Sequence, residues 1–193
     1  NDCSDNGRSI FQSTSRSNTL QASCFVGDAT CEAECNCEHH CLGSSCLDTK
    51  SSLGQKQILR KDLIVWLSGI IESETADALS VESWVALLAS LTKSGDELSL
   101  ESKDLIATAT RRILFLTLRH DISFNSVRGI LEVIKALSWS PIDGMDGPIS
   151  QSHISESVGA IDELIALYTD LVSREISVGE FPQEAVTELF ALV

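Results

Sequence analysis

The sequence lacks any long uninterrupted apolar run, and basic residues are scarce in it. No stretch approaches the ~18 apolar residues that identify a membrane-spanning helix, and the run at 113–118 is bounded by Arg111, Arg112 and Arg119. We therefore predict no membrane span in this segment. The 193 residues include 14 basic and 28 acidic side chains, a formal net charge of −14. Because that charge repels phosphate backbones and anionic lipid, we expect neither nucleic acid nor a membrane surface as a partner.

Motifs of catalysis and cofactor binding are also missing. His120 and His153 are isolated, and neither adjoins a Ser or Cys nucleophile in a recognisable elbow. The segment 144–147 has two glycines but lacks the Lys and Ser/Thr of a phosphate-binding loop. Asp143 and Asp146 could mark a cation loop, although turn formation explains them more simply. We therefore expect no enzymatic activity, and no catalytic residue, cofactor or metal.

The two ends of the sequence suggest a segment of a longer protein. The first residue is Asn1 rather than Met, and no signal peptide precedes it. The last six residues, 188–193, form an apolar helical pattern without a cap.

Cysteine is confined to the first quarter of the chain. All seven cysteines lie between Cys3 and Cys46, and none follows in the next 147 residues. Such clustering, in a stretch poor in other core residues, is typical of a disulfide framework in an oxidising compartment. We therefore predict a secreted protein, or one on the extracellular face of the cell surface. The disulfide candidates are Cys3, Cys24, Cys31, Cys35, Cys37, Cys41 and Cys46.

Zinc is the main alternative for this cluster. Its ligands would come from one short segment and would be Cys35, Cys37, His39, His40, Cys41 and Cys46. However, C-x-C is tighter than the usual C-x2-C knuckle, and no second knuckle follows. Disulfides are therefore favoured over zinc. A calcium site is less favoured still, since Asp2 alone lacks the acidic and amide ligands that such a site needs.

Composition divides the chain into a cysteine-rich module, residues 1–50, and a helical domain, residues 51–193. Within the module, the Ser/Thr-rich tract 13–19 has no periodicity and predicts a loop, which is also a candidate for O-linked sugar. The candidate acceptors are Ser13, Thr14, Ser15, Ser17 and Thr19. N-glycosylation is not expected, because the chain contains no N-x-Ser/Thr sequon.

Apolar residues recur at helical spacing from Ser51 onwards. Three segments of the form apolar-Ser-apolar-polar-Ser begin at Leu79, Leu98 and Ile122 and predict helix N-termini. The predicted N-cap residues are Ser80, Ser99 and Ser123. The predicted buried stripe of the first helix is Ile58, Leu59, Leu63, Trp66, Leu67, Ile70 and Ile71. The three tryptophans, Trp66, Trp84 and Trp139, are likewise expected in the core.

The remainder of the chain completes the predicted helical array. Two prolines and two glycines interrupt the pattern and predict a loop at 140–150. A fifth helix follows, and Pro182 at a first-turn position predicts a sixth helix that runs through Val193. The predicted fold is thus a small disulfide-rich module plus an all-α domain, an antiparallel up-and-down array of about six helices.

The cysteine spacing resembles that of an EGF-like module. Cys35 and Cys37 are followed by eight residues and Cys46, which is similar to the C-x-C-x8-C ending of that family. The opening Asn-Asp-Cys-Ser-Asp-Asn-Gly-Arg, residues 1–8, resembles the opening of tenascin-type EGF repeats. The chain departs from the family at Ser9, where a cysteine is expected, and in the Ser/Thr-rich insert.

The resemblance implies two disulfides, Cys37–Cys46 and Cys3–Cys35. Three cysteines then remain, namely Cys24, Cys31 and Cys41. Two of them could pair, while the third could bond to a part of the protein upstream of Asn1 or to another chain.

The order of the two regions resembles large extracellular algal and protist proteins. These include flagellar-hair (mastigoneme) proteins with EGF-like modules and polycystin-like proteins with receptor-for-egg-jelly regions. Segments 83–88 and 97–102 also resemble the helical subdomain of GAIN-type regions. The resemblance implies a structural glycoprotein segment in an extracellular filament such as a flagellar hair, with self-assembly or neighbouring modules of the same protein as partners. The alternative is the ectodomain of a polycystin-like receptor or adhesion protein that binds an extracellular partner.

Overall fold

The structure, a computed structural model, describes residues 3–13, 20–21, 31–38, 41–43, 45–138, 151–175, 185–186 and 191–192. The chain divides into two compact units, Asn1–Ile58 and Leu59–Val193. This division lies within the first helix, whereas composition placed the boundary after residue 50.

The first unit contains a three-stranded antiparallel sheet. Its strands are β1 (Gly7–Ser13), β2 (Leu20–Gln21) and β3 (Cys31–Cys37), in the order β2-β1-β3. The register of β1 on β3 runs from Gly7 opposite Cys37 to Ser13 opposite Cys31. Ser13 therefore ends a strand, and its inclusion in the predicted loop was wrong. The other four candidate sugar acceptors, Thr14, Ser15, Ser17 and Thr19, lie outside the described residues.

The rest of the described chain is mostly helical. It contains five α-helices: α1 (Lys50–Ser73), α2 (Ala78–Thr92), α3 (Leu100–Arg119), α4 (Ile130–Ser138) and α5 (Gln151–Glu175). Two 3₁₀ segments, Gly95–Glu97 and Phe124–Val127, lie before and after α3. Helices α2 to α5 pack against their neighbours in sequence, and α2 also packs on α4 and α3 on α5. A helical domain is therefore confirmed, while the antiparallel up-and-down order stays a prediction.

The predicted sixth helix was wrong. The described residues in that region form two short strands, β4 (Ala185–Val186) and β5 (Ala191–Leu192), which pair antiparallel. A short apolar run fits a strand as well as a helix, and the pairing of two separated dipeptides is not visible in the periodicity of either one.

The apolar core of the second unit draws on all five helices. Its largest fully buried side chains include Trp84 on α2, Ile113 on α3 and Tyr168 on α5. The rings of Phe124 and Tyr168 meet edge to face, with centroids 5.4 Å apart. Trp84 thus lies in the core as predicted, and Trp139 lies outside the described residues.

Helix α1 buries a different face from the predicted one. Its buried side chains are those of Ile64, Leu67 and Ile71, and only the last two belong to the predicted stripe. Trp66 and Leu59 are instead 62% and 61% exposed. Nine of the fourteen residues from 58 to 71 are apolar, so the apolar pattern alone does not select one face of this helix.

Two of the three predicted serine caps are present. Ser99 Oγ accepts a hydrogen bond from the Ser102 amide at 3.2 Å and starts α3. Ser123 Oγ accepts one from the Asn125 amide at 3.3 Å, although it caps a 3₁₀ segment rather than an α-helix. Ser80 is not a cap. Asp77, an equally strong capping residue three positions earlier, accepts from the Ser80 amide at 2.8 Å and starts α2.

No helix in the described ranges combines the length and apolarity needed to cross a membrane.

Candidate functional site

Two disulfides join described residues of the first unit. Cys3 and Cys35 are bonded with a Cα–Cα distance of 5.5 Å, and Cys37 and Cys46 with 5.3 Å. They are the same two pairs that the EGF-like resemblance implies. Their sequence separations are 32 and 9 residues. On the chain-entropy view, closing loops of this size stabilises a small module by ~2–4 kcal/mol per bond.

The Cys37–Cys46 bond lies beside a tight turn. Gly43 has a φ of 84° and Cys46 a φ of 54°, and the Cys46 amide donates to the Gly43 carbonyl at 3.1 Å. A left-handed φ is easy for glycine but unfavourable for cysteine, so the surrounding contacts hold Cys46 in place.

Gly7 packs directly against the same disulfide. A Cβ at this position would lie 2.6 Å from Cys46 Sγ and 2.7 Å from the Asn36 carbonyl oxygen. The site therefore has no space for any side chain. The sequence alone gave no signal for this requirement beyond the glycine itself.

Disulfide bonding occupies three of the cysteines that a zinc site would use as ligands. The sulfurs of Cys35, Cys37 and Cys46 are bonded to other sulfurs and are not available as thiolates. Cys41 is a free, partly buried thiol. The two candidate histidines, His39 and His40, lie outside the described residues, as do Cys24 and Asp2. Within the described ranges no group of three or more His, Cys, Asp or Glu side chains could hold a metal ion.

Asp48 ties the start of α1 to the end of the module. Its carboxylate accepts hydrogen bonds from Lys56 Nζ at 2.7 Å and Ser52 Oγ at 2.8 Å. These two hydrogen bonds, that from Lys56 first, hold the pKa of Asp48 below its ordinary value.

One flank of α1 is apolar. Leu59, Leu63, Trp66 and Ile70 recur at the i, i+4, i+7 and i+11 positions that share one helix face. The first three are exposed, by 61%, 40% and 62%, and Ile70 is partly buried. We call these four residues the apolar face. Val65, outside this face, is also exposed.

The apolar face continues into a cleft between α1 and α2. The cleft has a volume of about 330 Å³. It is lined by Ile70, Glu74, Leu79, Ser80, Ser83, Trp84 and Leu87. Leu79 and Leu87 are exposed, by 76% and 45%. The Trp84 indole N–H donates to Glu74 Oε2 at 3.1 Å, which fixes that carboxylate at the cleft wall.

The segment that carries the apolar face and the cleft is acidic. Residues 59–87 include five acidic and two basic side chains. Both basic side chains are paired. Arg60 Nε donates to Glu97 Oε2 at 2.6 Å, and Lys61 Nζ lies 2.7 Å from Glu101 Oε1. Arg60 also donates to the Leu91 carbonyl at 2.6 Å, so it joins α1 to the end of α2.

Among the described residues, the other candidates from the sequence do not form a site. His120 lies exposed at the C-terminal end of α3, and His153 lies in α5 with its side chain undescribed. Asp143 and Asp146 lie outside the described residues. The apolar face was missed as a functional surface, and its signal was the excess of apolar residues around α1.

No protein-family model, curated protein or solved structure matches this chain. Its function is therefore argued from its own residues.

Proposed function

We propose that this chain is a non-enzymatic interaction segment of a large secreted or cell-surface protein. The observation that carries the proposal is the apolar face of α1 together with the adjoining cleft. Monomeric soluble proteins rarely leave a contiguous apolar surface of several large side chains in water, and such surfaces commonly mark contacts with other proteins. A partner that covers Leu59, Trp66 and Leu79 would gain the free energy of burying them.

The disulfides support the extracellular part of the proposal. Two cross-links in one small unit are typical of proteins that fold in an oxidising compartment, because cytosolic thiols are kept reduced. We infer that the module is an EGF-like unit of the tenascin type. The Ser/Thr-rich tract after Ser13 is its proposed site of O-linked sugar.

Within this class we favour a subunit of an extracellular filament such as a flagellar hair. The order of a disulfide module and a helical domain supports this choice, since it is similar to the order in mastigoneme-type proteins. A filament subunit also needs a surface that a neighbouring chain of another protein can cover, and the apolar face supplies one.

Labelling of cells from the source organism tests this proposal. Antibodies raised against the folded chain are applied to intact cells and to permeabilised cells, and bound antibody is located by electron microscopy. Label along surface filaments of intact cells is the expected result. Surface label without filaments would favour the receptor-ectodomain alternative, and label that needs permeabilisation would refute the extracellular assignment.

A further inference from the structure

We propose that the apolar face of α1 and the α1–α2 cleft together bind a basic amphipathic helix of a partner protein. This inference rests on the proposed role as an interaction segment and adds the chemistry of the partner. Helix-in-groove recognition uses apolar residues at i, i+3, i+4 and i+7 of the bound helix, and charges beside them set its orientation.

The shape of the surface fits a helix. From Leu59 to Ile70 the apolar face covers about 16 Å of helix axis, or about three turns, at 1.5 Å per residue. On α2, Leu79, Ser83 and Leu87 recur every fourth residue and form the second wall. Ile70 lies on the apolar face and also lines the cleft, so the two surfaces are continuous. Two such rows with a groove between them accept the side-chain row of a third helix.

The small residues at the centre of the cleft favour close approach. Ser80 and Ser83 lie between the larger side chains of Leu79, Trp84 and Leu87. Their short side chains leave room for an inserted Leu or Phe from the partner. The Glu74 carboxylate, held by the Trp84 indole, then lies beside that insertion and can accept a hydrogen bond from a partner Lys or Arg.

The acidic side chains near the apolar face and the cleft determine which charge a partner must carry. Glu74 lines the cleft, and Asp62 on α1 and Glu82 on α2 are exposed. Arg60 and Lys61 are already paired within the chain, so they do not offset this charge for an incoming ligand. A helix with Lys and Arg flanking its apolar stripe is therefore attracted, and an acidic helix is repelled.

The same charges argue against a second copy of this chain as the occupant. A two-fold contact would place the two acidic segments against each other, on chains that each carry a net charge of −14. The cost of that repulsion opposes the gain from burying the apolar face. The partner is therefore a different protein surface, with the opposite charge.

A pair of designed peptides tests the proposal. Both are labelled helices of about 18 residues with Leu at i, i+3, i+4 and i+7; one carries Lys at the flanking positions and the other Glu. Binding to the disulfide-intact chain is followed by fluorescence anisotropy. We expect the Lys peptide to bind at least about tenfold more tightly than the Glu peptide, and added salt to reduce that preference.

Substitutions locate the binding surface. Trp66→Gln and Leu87→Gln should each weaken the Lys peptide by about tenfold, which corresponds to about 1.4 kcal/mol. The matched control is Phe115→Gln, which removes a similarly exposed apolar side chain (49%) from α3 and should leave binding unchanged. All three side chains are exposed, so the folds should persist, as circular dichroism will verify. Asp62→Lys combined with Glu82→Lys should reverse the peptide preference.

Several results would overturn the inference. They are equal binding of the two peptides, no binding of either, or the same loss in Phe115→Gln as in Trp66→Gln. A homodimer in sedimentation that Trp66→Gln dissolves would assign the surface to a second copy instead. If the antibodies label only permeabilised cells but the Lys peptide still binds more tightly than the Glu peptide, the proposed location is refuted and the proposed helix-binding surface is not. If the antibodies label the cell surface but the two peptides bind equally, only the helix-binding surface is refuted.

Discussion

At the residue scale, Gly7 is a position in the disulfide module that has no room for a side chain. In Gly7→Ala the new methyl group would lie 2.6 Å from Cys46 Sγ and 2.7 Å from a backbone oxygen, distances that force the strand or the disulfide to move. Because overpacking of this kind costs ~1–3 kcal/mol, we expect a lower thermal midpoint and a reduced yield of the Cys37–Cys46 bond on oxidative refolding.

The matched control for that variant is Gly54→Ala. Gly54 lies in α1 of the same unit, and a Cβ there would have no neighbour within 4 Å. Since alanine favours a helix over glycine by up to ~1 kcal/mol, this variant should be neutral or more stable. Thermal unfolding measures the midpoint of each variant, and peptide mapping without reduction measures its yield of the Cys37–Cys46 bond. Equal behaviour of the two variants would contradict the packing argument.

Tyr168 gives a second prediction at this scale, because it is the single tyrosine of the chain. Its ring is fully buried, and its hydroxyl finds no hydrogen-bond partner among the described residues. Burial raises the pKa of Tyr168 to about 12, and the nearby Arg128 offsets a small part of that rise. The unfolded chain loses the phenol proton near pH 10. The contribution of Tyr168 to stability should therefore be constant below that pH and fall as the pH rises towards the folded pKa.

Ultraviolet titration of the folded chain measures this pKa directly, and ionisation near pH 10 would contradict the buried placement. The variant Tyr168→Phe removes the unpaired hydroxyl and keeps the edge-to-face contact with Phe124. We expect it to be as stable as the parent or slightly more so, since an unsatisfied buried hydroxyl costs free energy. Tyr168→Leu is the contrasting variant; it loses the ring contact and should be destabilised by ~1–3 kcal/mol.

At the element scale, α2 depends on the cap at Asp77. Its carboxylate accepts from the Ser80 amide at 2.8 Å, and this hydrogen bond holds the pKa of Asp77 below its ordinary value. A lowered folded pKa means that the contribution to stability is present above the unfolded pKa and is lost as the pH falls through the folded one. The variant Asp77→Asn keeps a capping oxygen without the charge, and Asp77→Ala removes both.

Denaturant unfolding of these variants checks the cap. At about pH 7 the order of stability should be parent, Asp77→Asn, Asp77→Ala, and at about pH 3 the parent should approach or fall below Asp77→Asn. Asp62→Asn on the exposed side of α1 changes the net charge equally and serves as the control. A similar response in that control would attribute the effect to net charge rather than to the cap.

The elements also show which structural features the sequence could predict. Ser99 and Ser123 were identifiable because a cap is a local hydrogen bond between neighbours in sequence. Ser80 was misassigned since Asp77, three residues earlier, satisfies the same requirement. The strands β4 and β5 were missed because their pairing joins separated residues, which local periodicity does not encode.

The face of α1 was unpredictable for a different physical reason. With apolar residues on nearly all sides, burial of Ile64 and Leu67 or of Leu63 and Trp66 satisfies the helical period equally well. The choice depends on which side α2 and the other helices cover, which is a property of the tertiary fold. For the same reason, the apolar face could not be recognised as a candidate site from sequence, whereas the disulfide module could.

At the scale of the whole molecule, the two units are stabilised by different means. Both described disulfides and all seven cysteines belong to the first unit. The second unit contains no cysteine and is held by a cluster of buried apolar side chains from five helices. A unit of about 50 residues buries too little surface to be stable without cross-links, whereas a helical domain of about 135 residues does not need them.

This difference predicts a selective response to reduction. With a strong thiol reductant we expect the described residues of the module, 3–13, 20–21, 31–38, 41–43 and 45–48, to lose amide protection. The reason is that the unfolded module regains the chain entropy that the cross-links had removed. The part of α1 before Leu59 belongs to that unit and should fray with it. Helices α2 to α4 should keep their protection, because their core residues, such as Trp84, Ile113 and Ile134, are buried in one apolar cluster that contains no disulfide.

Hydrogen exchange with mass spectrometry, with and without reductant, measures the protection of the two units separately. The variant Cys41→Ser removes a free thiol and should leave both patterns unchanged. Loss of protection across 78–138 on reduction would mean that the helical core requires the cross-linked module, and that the two units fold as one.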